Sequence, residues 1–124
     1  MLKDNFYSIN KVEIKDDMNI KYYLSFNQKH RIFLSHFPNN PIVPGACIIE
    51  IIRELASKTL KANLNIKFIK SVKFLNVIIP DSNQEIIFDI SLSPKEKEYN
   101  ATTTIYANQT TYSKLNLELI TQLQ

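Results

Sequence analysis

The sequence predicts an α+β domain in which an antiparallel sheet wraps round one long helix, and three observations carry that prediction. A single segment, Gly45 to about Lys61, keeps apolar residues at helical spacing. The chain on either side of it alternates with a period of two. Polar or charged clusters separate the alternating runs, mostly at hairpin distances, so neighbouring strands are expected to run antiparallel. At 124 residues, with 44% apolar residues, the chain suffices for one core and is short for two, so residues 1–124 are expected to form a single domain.

Taken in order, Phe6 to Ile14 mixes aromatic and β-branched residues with polar ones. It is broken by Asp16-Asp17-Met18-Asn19, which reads as a strand and its turn. Tyr22, Leu24 and Phe26 then share one face of a second strand, closed by Asn27-Gln28-Lys29-His30-Arg31, where His30 reads as a solvated turn residue. The short apolar run Ile32-Phe33-Leu34 is expected to lie against the core. In the helix, Ala46, Ile48, Ile49, Ile52, Leu55, Ala56 and Leu60 make an apolar arc, and Lys58 and Lys61 suit its C-terminus. Ile66 to Ile79 reads as one long strand bent near Leu75-Asn76, with Lys67, Lys70 and Lys73 exposed along it. Ile86, Phe88, Ile90 and Leu92 mark the next strand, and Pro94 to Glu98 reads as a charged turn. Tyr99 to Ala107 and Thr110 to Ile120 are two threonine-rich strands of a hairpin turning at Asn108-Gln109. The count is five to seven strands.

Composition excludes several functions. No apolar run approaches the ~20 residues needed to span a bilayer, and Met1-Leu2-Lys3-Asp4-Asn5 lacks a signal peptide's apolar core, so a cytoplasmic protein is expected. One cysteine, Cys47, cannot form an internal disulfide, and two histidines do not make a zinc cluster. Chemistry without metal or cofactor is the expectation. A net charge of +3 is too weak to argue for nucleic acid but is compatible with an acidic partner.

The chemical signal lies in Ser35-His36-Phe37-Pro38-Asn39-Asn40-Pro41-Ile42-Val43-Pro44-Gly45-Ala46-Cys47-Ile48-Ile49-Glu50, which runs from a loop into the helix. Three of the five prolines fall here, and Gly45 is the only glycine. The backbone is therefore stiffened and then released at one point, as a positioned site requires. Pro44 suits a helix start, where a missing N–H costs nothing, and Gly45 leaves the first N–H groups approachable.

His36-Phe37-Pro38, Pro41, Pro44-Gly45 and Glu50 reproduce without an insertion the HFP-x-x-P-x-x-PG-x-x-x-x-E signature, and the stretch resembles the (3R)-hydroxyacyl-[acyl carrier protein] dehydratases of the FabZ type. Val72-Lys73-Phe74 and Ile79-Pro80-Asp81 are a weaker echo of that family's V-K-F and V-P-G-D segment. The resemblance implies a hot-dog fold and dehydration of 3-hydroxyacyl groups carried by acyl carrier protein. It also implies a homodimer, or a higher oligomer of dimers, with His36 and Glu50 of a site supplied by different chains. Asn39 stands where the family usually has Gly, Glu54 where it commonly has Gln, and Asp81-Ser82 where it has Gly-Asp.

Dehydration needs a base for the α-proton, a donor to the enolate-like oxygen and an acid for the departing hydroxyl. With an ordinary pKa of ~6.5, His36 is the natural base. The Gly45 N–H, at the positive end of the helix, suits the thioester oxygen, and one such donor contributes roughly 3 kcal/mol in comparable sites. Glu50 is left to protonate or orient the hydroxyl, and as an acid it needs surroundings that raise its pKa above ~4.3. Glu54, a second carboxylate one turn on, either helps Glu50 stay protonated or marks an altered site.

Plainer readings exist for each. His36 taken alone is an ordinary loop histidine. Glu50 shares an arc with Arg53, Glu54, Ser57 and Lys61, the polar face of an amphipathic helix. Cys47, without a spaced base, reads as a small packed residue. At the level of the whole protein, the alternatives to a dehydratase are a hot-dog thioesterase and a catalytically silent hot-dog subunit that binds acyl chains or a partner.

Overall fold

A computed structural model describes residues 1–35 and 39–122; His36, Phe37 and Pro38, with the last two positions, lie outside the described residues. The elements are β1 (Tyr7–Asp16), β2 (Asn19–Phe26), α1 (Arg31–Ser35), α2 (Gly45–Leu60), β3 (Leu64–Phe74), β4 (Ile86–Lys95), β5 (Glu98–Ala107) and β6 (Thr110–Thr121). The six strands form one sheet in the order β1-β2-β4-β5-β6-β3, every pair antiparallel. The sequence prediction of a single sheet around one long helix describes this arrangement.

Alternation in the strands builds one face of the core, and α2 supplies the other. Leu24 pairs with Ile86, Tyr22 with Phe88 and Ala101 with Leu117, all of them buried. Against this face α2 places Ile48, Ile51, Ile52, Leu55 and Ala56. Complete burial of a residue such as Ile51 or Ile52 contributes about 1.5–3 kcal/mol, so this packing fixes the helix axis. Tyr22 adds a polar tie, its hydroxyl 2.8 Å from Oγ1 of Thr59.

Turn chemistry explains the strand ends. At the β1–β2 turn, Oδ1 of Asp16 accepts the Met18 N–H at 2.8 Å. Asn108 turns the β5–β6 hairpin at φ 53°, a left-handed conformation that Asn tolerates better than most residues. Helix α2 stops at Lys61, left-handed at φ 53° and ψ 45°, whose N–H reaches the Ser57 carbonyl.

Residues Ile32, Phe33 and Leu34 are helical, within α1; Phe33 is buried and Ile32 packs partly buried against the core, while Leu34 faces outward. Three local expectations are corrected. His30, partly buried, immediately precedes α1 and is not a solvated turn residue. Its Nδ1 accepts the Ile32 N–H at 3.1 Å, and its ring meets Phe6 edge-on at 5.2 Å. The strand expected from Ile66 to Ile79 ends at Phe74, because Leu75 and Asn76 turn their N–H groups to one carbonyl, that of Tyr112. The charged turn is also tighter than expected: Pro94 and Lys95 belong to β4 and Glu98 to β5.

Among the described residues, strand β3 has a neighbour on one side only. It pairs with β6 through two register shifts, between Ile66 and Phe68 and between Ile69 and Ser71, and its other edge is open. Phe68, Ile69 and Phe74, with Leu75, Val77 and Ile79 just beyond, are all exposed. Lys67 pairs with Glu98, and Lys70 lies 3.8 Å from Glu118, so two of the three edge lysines are matched within the chain.

Candidate active site

The proline-rich approach delivers the chain to α2 with Pro44 extended (φ −64°, ψ 146°) and its carbonyl accepting the Cys47 and Ile48 N–H groups at 3.0 and 3.1 Å. Helix geometry leaves the N–H groups of Gly45 and Ala46 without partners inside the helix. The first turn carries no acidic side chain, so the positive end of the helix is not neutralised from within it. One strut holds this approach: the Val43 N–H donates to the Ile78 carbonyl at 2.8 Å.

Gly45 opens on an apolar cavity of about 460 Å³, shared with Ile42, Val43, Ile48, Phe74 and the stretch Leu75–Ile78. A β-carbon at Gly45 would lie 2.8 Å from Cζ of Phe74, so the ring occupies the space that a side chain would need. The close approach that glycine allows here is made within the chain by an aromatic ring.

Glu50 faces a different direction. Five residues further along the helix advance it ~7.5 Å and rotate it ~140° from Gly45. Its carboxylate meets Arg53: Nε donates to Oε1 at 2.8 Å and Nη2 to Oε2 at 2.7 Å, a two-pronged pair. The third arm, Nη1, donates to the Leu64 carbonyl at 3.0 Å, tying the pair to the first residue of β3. This guanidinium holds the Glu50 carboxyl below its ordinary range, against a smaller opposing effect of burial. The direction is opposite to the one that a proton donor needs and suits the orienting role. Arg53 had been legible only as part of a polar face.

Glu54 does not belong to that polar face either. It is 5% exposed, and its carboxylate accepts the Leu2 N–H at 2.8 Å, the Lys3 N–H at 3.1 Å and the Tyr7 hydroxyl at 3.0 Å. Three donors satisfy a carboxylate that would otherwise be costly to bury. Burial first, and Glu54 second, push the Tyr7 hydroxyl far above the usual phenol range, so it remains a donor. The acid at this position straps the segment before β1 onto α2. Periodicity could not find it, because its partners are backbone groups about fifty residues away.

Cys47 is half-buried, and desolvation, then Glu50, pushes its thiol upward, in keeping with a packed residue. Asn39 lies in an exposed turn. Asp81 builds the turn that the Gly-Asp departure had left open, its Oδ1 accepting the Asn83 N–H at 2.9 Å. His36 lies outside the described residues. Among the described residues, Glu50 does not line the apolar cavity beside Gly45, and Arg53 and Glu54 border another, of about 840 Å³, with Lys3, Lys58 and Lys61.

A single sheet round a central helix, with a proline-glycine helix start above an apolar cavity, defines a hot-dog protein. The chain belongs to the ApeI-like family, described as ApeI dehydratase, which matches residues 12–115. The match is to that dehydratase family and not specifically to the FabZ type. Among solved structures, the chain is similar to the dehydratase heterocomplex ApeI:P from Xenorhabdus doucetiae, with TM-score 0.75 and 20% identity over 90% of this chain and 96% of that one. An uncharacterized protein from Erwinia carotovora gives TM-score 0.71 and 18% identity, over 93% and 94% of the two chains. A hypothetical thioesterase with coenzyme A from Streptococcus pneumoniae gives 0.68 and 12%, over 98% and 93%. No curated protein matches the sequence. Among the described residues, no helix is long and apolar enough to cross a membrane.

Proposed function

We propose that the protein dehydrates (3R)-3-hydroxyacyl groups on acyl carrier protein to trans-2-enoyl groups, in fatty-acid or related polyene or polyketide-like synthesis in the cytoplasm, without metal or cofactor. The observation that carries this reading is the His36 to Glu50 signature, whose Pro44-Gly45 pair starts α2 beside an apolar cavity. In this reading the Gly45 N–H donates to the thioester oxygen as charge develops there. His36 removes the α-proton, the carbon–carbon double bond forms as the C3–O bond breaks, and the imidazolium returns its proton to the departing hydroxyl, which leaves as water. Glu50 serves as a charged carboxylate that orients and stabilises that imidazolium.

The site is shared between two copies in this proposal. Gly45 and Glu50 look in different directions from one helix, and the open β3 edge with its exposed apolar side chains offers a surface for a second chain. A second reading pairs the chain with a non-identical subunit. The similar ApeI:P structure is a heterocomplex, and an open strand edge is compatible with either kind of partner.

The test is incubation with 3-hydroxyacyl carrier protein, following the absorbance of the enoyl thioester. Wild type should turn over and His36→Ala should lose ~100-fold or more. Carrier-bound substrate should lose efficiency as salt rises, and a pantetheine thioester much less so, since only the carrier is an acidic macromolecule. A folded His36→Ala protein with near-normal turnover removes His36 from the chemistry.

A further inference from the structure

We propose that Arg53 is a positioning residue for the reaction: it locks Glu50 as an oriented carboxylate and joins that carboxylate to the open edge strand. This inference rests on the dehydratase reading and adds to it a residue that the motif does not contain.

The geometry separates this pair from an ordinary exchange of charges on a helix surface. An exposed pair three residues apart stabilises a helix by only ~0.2–0.5 kcal/mol and leaves both side chains free to wander. Here both carboxylate oxygens of Glu50 are engaged by different nitrogens, and the remaining arm of the guanidinium is held by the Leu64 carbonyl. The planar fork thus has three fixed contacts across two elements. A lysine could supply the charge but not the orientation.

The lock leaves the carboxylate usable. An ionised carboxylate offers about four acceptor directions, and Arg53 takes two. The Glu50 side chain is 36% exposed, so it stays reachable from outside the chain. On α2, Cys47 lies one turn before Glu50 and Glu54 one turn after; Tyr7 comes from β1, and the amino group of Met1 adds positive charge that favours the ionised carboxyl. Glu54 is already satisfied by Tyr7 and two backbone N–H groups. Among the described residues, Arg53 is therefore the cation bonded to Glu50. Because its third bond ends on the first residue of β3, displacement of that strand would be felt at the carboxylate.

The experiment compares wild type, Arg53→Met and Arg53→Lys in the full chain. Turnover of a 3-hydroxyacyl pantetheine thioester is followed from pH 5 to 9, the carboxyl of Glu50 is titrated by carbon NMR, and sedimentation reports assembly. Arg53→Met should lower kcat about 10- to 100-fold at neutral pH with little change in KM. It should also move the acidic limb of the profile, and the Glu50 titration, to higher pH. Arg53→Lys should restore part of the limb position, where charge suffices, and less of kcat, where the fork is needed. A folded, normally assembled Arg53→Met protein with a wild-type profile and an unmoved Glu50 titration overturns the proposal. If wild type dehydrates nothing, the dehydratase reading fails, and the NMR titration still reports separately whether Arg53 controls Glu50.

Discussion

The ring of Phe74 lies where a side chain on Gly45 would have to go, with Cζ 2.8 Å from the position of an added β-carbon. Gly45→Ala must therefore displace the ring or the helix start. The ring is 53% exposed and can swing, so we expect a stability loss of only about 1 kcal/mol, the low end of overpacking costs. Turnover should suffer more, roughly 10- to 100-fold, because the donor at the head of α2 shifts. Adding Phe74→Leu should recover most of the loss in thermal unfolding and in rate. Failure of that rescue in a folded double variant would show that the contact is not the reason for glycine.

Glu54 is expected to behave as a structural carboxylate. Glu54→Ala strands three donors, two of them backbone, and should cost about 2–3 kcal/mol in urea unfolding. Tyr7→Phe should cost about 1 kcal/mol. Hydrogen exchange should speed up at the Leu2 and Lys3 amides in the Glu54 variant. Unchanged exchange there would mean that the strap does not persist in solution.

Placing charge on the open edge tests what covers it. With Ile69→Asp, the exposed apolar strip carries a carboxylate on β3, and we expect sedimentation to show monomers whose circular dichroism matches the wild type. Dehydration should disappear with the assembly. Active monomers would contradict a shared site.

Mixing inactive His36→Ala and Glu50→Gln chains, unfolded and refolded together, should restore activity. Random pairing makes about half the dimers mixed, each with one intact site of two, so recovery should approach about a quarter of wild type if the sites are independent. No recovery from demonstrated mixed dimers would place both residues of a site on one chain.

Stability should also depend on pH through Glu50. Arg53 lowers its carboxyl in the folded chain relative to the unfolded one. The contribution is therefore complete above the unfolded value of about 4.3 and is lost as pH falls through the lower folded value. Arg53→Met should flatten the acid side of a plot of unfolding free energy against pH. A slope unchanged by that substitution would show that the pair is too screened by solvent to matter.

The sequence made the helix and most of the strand faces legible for the same reason: burial imposes a period, and Ile86, Phe88, Ile90 and Leu92 or Ile48, Ile52 and Leu55 display it. The head of α2 was legible because Pro44 and Gly45 have few other uses. Side-chain electrostatics was not legible. Whether Glu50 faces a cation and whether Glu54 faces backbone donors depend on the fold bringing Arg53 to Leu64 and the chain before β1 to α2. The end of β3 was missed because Val77 and Ile79 continue an apolar pattern although, among the described residues, no strand pairs with them.

The place of β3 has a consequence for how the protein is made. Its partner in the sheet is β6, which follows it in the chain after β4 and β5, whereas β1 and β2 can close as a local hairpin. During synthesis on the ribosome, β3 therefore waits with both edges unsatisfied until β6 has emerged. For that interval Phe68 and Ile69 are available to any neighbouring nascent chain. Contacts between distant segments close slowly, and exposed strands aggregate while they wait. The strand proposed to meet a partner is thus the one that waits longest for its neighbour in its own chain, so chaperone supply and translation rate would set the yield of folded protein before any partner is met.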